Sequence, residues 1–332
     1  MSSTLAVGVA GATGYAGQEL LRLAARHPSV TVTAAMGSGA AEGVRRLPAL
    51  ARIWDGDVTP LSLDRLAAET RAVFLTLPDA VAAEVGPDLV ARGVRVFDLS
   101  GTFRLRDAAE RRHWYPATPD IDEPVVYGLT EHYREALPDA RLVACPGCYP
   151  TAALLALRPL RDAGLLDDDG DVIIDAKSGI SGAGKRPTER THFSECHGSV
   201  AAYGVLAHRH GAEIEQELGR PVTFTPHLVP LDRGILETIY VRTRRDVSAA
   251  QVADTLERAY ADAPFVRLTG DALPEIKHVT HTNLCDIGWK LDAASRRLVL
   301  VACLDNLVKG AAGQAIQNLN VAFGLGEATG LS

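Results

Sequence analysis

The chain has 332 residues, 47% of them apolar, and a formal net charge of −7. That is length enough for two domains with sizeable cores. No stripe of Lys and Arg stands out, which argues against nucleic acid as a partner, and no apolar run approaches the roughly 20 residues of a membrane-spanning helix.

The first residues carry no charged segment ahead of their apolar stretch and run directly into a glycine motif, so they read as a first strand, not as a signal peptide. Residues 5–10, 30–36, 73–77, 94–99 and 142–144 have strand character, with helical spacing over 18–25 and 81–91. Strands alternating with helices predict a Rossmann-type, doubly wound parallel sheet. Beyond residue 170 the pattern changes. Residues 172–176, 222–226, 237–243 and 297–304 read as strands with longer connections, and helices are expected over 212–218 and 249–261. This predicts a second, α+β domain on a mixed sheet. A last apolar helix over 311–323 needs a surface to cover and is expected to return to the first domain.

The first strand ends in Gly8-Val9-Ala10-Gly11-Ala12-Thr13-Gly14-Tyr15-Ala16-Gly17, and a helix follows at once. Glycines let backbone approach a pyrophosphate, whose charge meets the free N–H groups of the helix start. Gly11, Thr13, Gly14, Tyr15 and Gly17 are the expected dinucleotide contacts. An acid at the tip of the second strand would hold the ribose 2′-hydroxyl of NAD. Here the strand runs into Met36-Gly37-Ser38-Gly39, with Arg45 and Arg46 beyond. That favours the 2′-phosphate of NADP, with Ser38 as its contact.

Pro146-Gly147-Cys148-Tyr149-Pro150-Thr151 joins a short strand to a helix. Pro150 suits the first helical turn, which places Cys148 at a helix start. There the dipole favours thiolate over thiol, so Cys148 is a candidate nucleophile. The five cysteines, Cys145, Cys148, Cys196, Cys285 and Cys303, form no disulfide framework, and a reducing cytoplasm is the expected setting. Cys145 and Cys148 also spell C-x-x-C. A zinc site completed by His208 and His210, or a dithiol redox pair, is the rival reading of that spacing. The segment from His208 to Glu213 offers two histidines and a carboxylate for proton transfer beside a nucleophile. Arg104 follows a strand end, where doubly wound sheets bind ligands, and is a candidate anion anchor.

Taken in order, the motifs are Gly11 to Gly17, Asp98-Leu99-Ser100, Phe103-Arg104-Leu105, Pro146 to Thr151, Lys177 to Gly184, His208-Arg209-His210, Phe224 to Pro230 and Asp305 to Gln314. In that order the sequence resembles the N-acetyl-gamma-glutamyl-phosphate reductase family, the arginine-biosynthesis branch of the semialdehyde dehydrogenases, over nearly its whole length. The resemblance implies Cys148 as nucleophile and His210 as acid/base supported by Glu213. It implies NADP on the glycine loop, with Ser178, Gly179 and Asn306 near the nicotinamide, and Arg104, His208 and Ser181 toward substrate. It further implies an acyl phosphate substrate, inorganic phosphate as co-product and a homo-oligomer, a dimer or tetramer. The division expected is residues 1–147 with 311–332 for NADP, and 148–310 for catalysis, substrate and oligomerisation.

Three positions depart from the family pattern. Cys145 stands where Asn is usual, Asp79 where His follows Leu-Pro, and Thr102 where an acid is usual. Two other functions remain at this stage: a related reductase of aspartyl phosphate or carrier-bound aminoadipyl phosphate, and a non-catalytic dinucleotide sensor. Cys145 also suggests a resolving thiol that traps oxidised Cys148 as a disulfide.

Overall fold

The structure is a computed structural model that describes residues 4–37, 44–119 and 123–331. It separates into two compact units, residues 1–146 with 311–332 and residues 147–310.

The first unit is built on seven parallel strands: β1 (Leu5–Ala10), β2 (Val30–Gly37), β3 (Thr59–Pro60), β4 (Ala72–Leu75), β5 (Arg95–Asp98), β6 (Val125–Tyr127) and β7 (Leu142–Ala144). Their order across the sheet is β3-β2-β1-β4-β5-β7-β6. The strands at its centre are apolar throughout because helices cover both faces; Val7, Val9, Val73, Phe74, Leu75 and Phe97 are fully buried. The Tyr15–Ala24 helix buries Leu20, Leu21 and Ala24.

The closing helix, Gly313–Ala322, belongs to this unit and follows a π-helical turn at Val308–Ala312. Its spacing looks apolar, yet its buried face carries carboxamides. Gln314 and Asn318 both donate to the Gly128 carbonyl, at 3.1 and 2.8 Å, and Thr130 donates to Asn318 at 2.7 Å. Backbone polar groups beyond β6 must be satisfied once buried, and these side chains satisfy them.

The second unit carries a mixed sheet of β8 (Ile173–Gly179), β9 (Ala201–Ala202), β10 (Thr223–Val229), β11 (Ile235–Arg242), β12 (Val266–Gly270), β13 (Cys285–Asp292) and β14 (Arg297–Leu304), ordered β12-β13-β14-β11-β8-β10-β9. The Cys148–Asp162 helix packs on β11 and β14 and against the Arg209–Leu218 helix. The α/β class with a second α+β unit is therefore as the sequence predicts. Five strands escaped it. β3, β6 and β9 have two or three residues, too few for a period to show. β12 carries Gly270, and β13 contains Asp286, Gly288 and Asp292, residues disfavoured in strands. Among the described residues no helix is long and apolar enough to cross a membrane.

Candidate active site

The glycine loop has the form a pyrophosphate needs. Gly11 sits at φ +95°, and a Cβ there would lie 2.4 Å from the Thr76 carbonyl oxygen. Gly17 lets the helix close on the loop, since a Cβ would stand 2.3 Å from the Gly11 oxygen. Gly14, by contrast, faces open space except for the Gly11 oxygen at 3.5 Å from its hypothetical Cβ. It caps the Tyr15–Ala24 helix with no side-chain hydrogen bond, and no acid occupies the first turn. The first N–H groups of that helix are thus left for an anion. Tyr15 is partly exposed beside them. The residues fit a dinucleotide. Ser38 lies outside the described residues; β2 reaches Gly37 with no acid at its tip.

In the second unit, Ser178, Gly179, Ser181 and Asn306 come together. Asn306 donates to the Ser181 hydroxyl at 2.9 Å and accepts the Gly234 N–H at 2.8 Å. Ser178 donates to the Gly179 carbonyl at 3.0 Å. Gly179 is required sterically, because a Cβ would lie 2.8 Å from the Arg233 backbone nitrogen.

Cys148 is the first residue of a 15-residue helix whose N-cap, Gly147, offers no side-chain hydrogen bond and whose first turn has no acid. The positive end of the dipole therefore falls on the sulfur's own position. Two glycines make room for it. A Cβ on Gly310 would lie 2.7 Å from the Cys148 Cβ, and one on Gly147 would lie 2.5 Å from His210 Nε2. The His210 ring is thus seated against the turn that presents the nucleophile.

The two histidines are placed differently. His208 is the N-cap of the Arg209–Leu218 helix, its Nδ1 accepting the His210 N–H at 3.1 Å. Burial, reinforced by the Arg209 charge, lowers its pKa to about 4, so it is neutral at physiological pH. His210 stands one residue into the helix and is buried. Glu213 lies one turn on, fully buried, and its Oε1 accepts the Gly147 N–H at 2.8 Å. Glu213 thereby holds the backbone just before Cys148, a contact that the sequence does not show. An aromatic wall completes the surroundings. Tyr149 meets His208, His210 and Phe224 edge-on, with centroids 6.1, 5.9 and 5.3 Å away. Its hydroxyl lies 3.3 Å from that of Tyr203. Gly147 and Tyr149 lie in the motif around Cys148, whereas the sequence carries no local signal for the places of Tyr203 and Gly310.

Arg104 is held on the backbone of the first unit. It is buried, with Nε donating to the Cys145 carbonyl at 2.8 Å and a terminal nitrogen donating to the Leu99 carbonyl at 2.9 Å. These contacts brace it within the first unit. Cys145 is buried beside Asn318 Nδ2, at 3.6 Å, and burial pushes its pKa up to about 12, which disfavours the thiolate that a resolving thiol needs. The other two departures meet each other: the Thr102 hydroxyl donates to the Asp79 carbonyl at 2.8 Å, and the Asp79 carboxylate accepts the Gly101 N–H at 2.9 Å. Among the described residues no group of three or more His, Cys, Asp or Glu is placed to hold a metal ion.

Residues 6–140 match the family model described as semialdehyde dehydrogenase, NAD binding domain, and residues 148–306 that described as semialdehyde dehydrogenase, dimerisation domain. The chain is 44% identical to the N-acetyl-gamma-glutamyl-phosphate reductase of Brevibacillus brevis, over 98% of this chain and 97% of that one. It is 45% identical to the enzyme of that name from Symbiobacterium thermophilum, over 99% and 97%. Among solved structures, its fold is similar to aspartate semialdehyde dehydrogenase II from Vibrio cholerae, with TM-score 0.73 and 19% identity over 97% and 99% of the two chains. It is similar also to aspartate semialdehyde dehydrogenase with NADP from Candida albicans, with TM-score 0.71 and 17% identity over 96% and 98%. With relatives of this identity spanning almost its full length, the chain belongs to the N-acetyl-gamma-glutamyl-phosphate reductase family of the semialdehyde dehydrogenases.

Proposed function

We propose that the chain catalyses the NADPH-dependent reductive dephosphorylation of N-acetylglutamyl 5-phosphate to N-acetylglutamate 5-semialdehyde, with Cys148 as nucleophile. The observation that carries this reading is the Cys148 helix start, uncapped and free of acids, with the His210 ring seated on the turn before it. The near-full-length relatives of that name support the substrate.

The thiolate of Cys148, favoured by the helix dipole, attacks the acyl carbonyl. The carbon–sulfur bond forms, the bond to the phosphate oxygen breaks, and inorganic phosphate leaves. NADPH, when bound, supplies the hydride that reduces the thioester carbonyl. His210 lends a proton to the oxyanion left after hydride addition and takes it back as the carbon–sulfur bond breaks, so the semialdehyde departs and the thiolate returns. Glu213 fixes the Gly147 turn through which sulfur and imidazole keep their register. An acyl phosphate is already activated, so the protein's share is positioning and exclusion of water.

Gly11, Thr13, Gly14, Tyr15 and Gly17 hold the pyrophosphate side of the cofactor, and Ser178, Gly179 and Asn306 serve its nicotinamide end. NADP is favoured over NAD because β2 ends without an acid and Arg45 follows. Residues 1–147 with 311–332 form the NADP domain. Residues 148–310 form the catalytic and oligomerisation domain of a cytoplasmic homo-oligomer.

The test is the reverse reaction: phosphate-dependent reduction of NADP with N-acetylglutamate semialdehyde. A fast rate is expected with that aldehyde and a slow one with aspartate semialdehyde; the opposite order overturns the choice of substrate.

A further inference from the structure

An open cavity of about 320 Å³ lies in the second unit, lined by Ile180, Glu189, Arg190, Ser199 and Leu228 among others. That is at the lower end of the roughly 300–1,000 Å³ typical of small-molecule pockets. Arg190 is exposed there and makes no hydrogen bond or ion pair among the described residues. Six other arginines of this unit hold carboxylates: Arg158, Arg161, Arg233, Arg244, Arg267 and Arg296.

The cavity is tied to the nucleophile by short connections. Leu228, in its wall, pairs with Ser178 of β8 and with Ala201 of β9. β9 leads in two residues to Tyr203, whose hydroxyl lies 3.3 Å from that of Tyr149, the neighbour of Cys148. The cavity wall and the start of the Cys148 helix are thus linked through Tyr203 and Tyr149.

We propose that Arg190 anchors the α-carboxylate of the acyl substrate, with the aliphatic walls of Ile180 and Leu228 receiving the acetamido group. This inference rests on the reading of the substrate given above. The substrate presents its reactive carbonyl at one end and a carboxylate beside an N-acyl group at the other. A guanidinium is suited to a carboxylate by its paired donors. Glu189, in the same lining, is an acceptor for the acetamide N–H.

The experiment compares N-acetylglutamate semialdehyde with 4-acetamidobutanal, which lacks only the carboxylate, in the phosphate-dependent reverse reaction. The wild-type chain is expected to prefer the carboxylated aldehyde strongly. In Arg190→Gln its KM is expected to rise about 10- to 100-fold, the loss of one charge-assisted contact. In that variant kcat and the KM for NADP stay near wild type, and the preference over 4-acetamidobutanal collapses. Arg190→Lys should restore part of the preference. If Arg190→Gln keeps both KM and preference, the inference is wrong while the function stands. If the wild-type chain turns over neither aldehyde, the functional reading is wrong and the anchor falls with it.

Discussion

The buried carboxylate of Glu213 accepts the backbone N–H of Gly147 at 2.8 Å, so a helix 66 residues downstream holds the turn that presents Cys148. A buried amide left unmet costs about 1–3 kcal/mol. Glu213→Gln keeps an acceptor oxygen at that place and should retain most thermal stability. Glu213→Ala removes it, and should lower both Tm and kcat. Equal loss in the two variants, by thermal denaturation and steady-state kinetics, would show that charge and not acceptance of this N–H is what Glu213 provides.

Gly147 has φ −65° and ψ 155°, a backbone any residue adopts, so its constraint is spatial. Gly147→Ala drives a methyl to 2.5 Å from His210 Nε2. The ring must move, and displacements of about 1 Å in a catalytic group cost on the order of 100-fold in rate. The variant is expected to fold, to bind NADP as the parent does and to lose kcat by that order. Full activity in Gly147→Ala would remove His210 from its proposed place.

His208 and His210 should separate by mutation. His208 has a lowered pKa of about 4, through burial first. A base with a depressed folded pKa adds stability that is present above its unfolded pKa and lost as pH falls through the folded value. His208→Asn keeps a capping acceptor and should leave the pH–rate profile between pH 6 and 8 unchanged. His208→Ala should cost about 1 kcal/mol of stability. His210→Asn should lower kcat by about 10²- to 10⁴-fold. A pH–rate limb that disappears in His208→Asn would reassign proton transfer to His208.

Glu237 lies in β11 fully buried, and neither carboxyl oxygen has a hydrogen-bond partner among the described residues. Burial raises its pKa well above the carboxylate range, opposed by the Lys177 charge. For a raised folded pKa the contribution to stability is fully present below the unfolded value and is lost as pH rises through the folded one. Glu237→Gln cannot ionise. Its Tm should fall less than the parent's between pH 5 and pH 9 and exceed it at the alkaline end by about 2–6 °C. Parallel Tm curves for parent and variant would show that Glu237 finds a charged partner in solution.

Much of the fold is legible in the sequence, for a physical reason that also marks its limits. β1 and β14 have the bounds their apolar patterns indicate, because long strands in a core show a clean period. The closing helix was harder. Gln314 and Asn318 look like solvent residues until Gly128 supplies the carbonyl they satisfy. In the site, Cys148 and the glycine loop are visible because helix-start chemistry is local. Arg104 is less legible, because a lone arginine after a strand does not show that the carbonyls of Leu99 and Cys145 take two of its donors. Cys145 is less legible likewise: spacing suggests a partner thiol, and only the structure shows the burial that raises its pKa.

The central claim is covalent catalysis at Cys148. Mixing the protein with N-acetylglutamyl 5-phosphate in the absence of NADPH, followed by acid quenching and peptide mass spectrometry, tests it directly. The account predicts one N-acetylglutamyl group on the peptide that carries Cys148, released by hydroxylamine and absent from Cys148→Ser, which should be inactive. Turnover in Cys148→Ser at the parental rate, or an acyl group found on another residue, would contradict it.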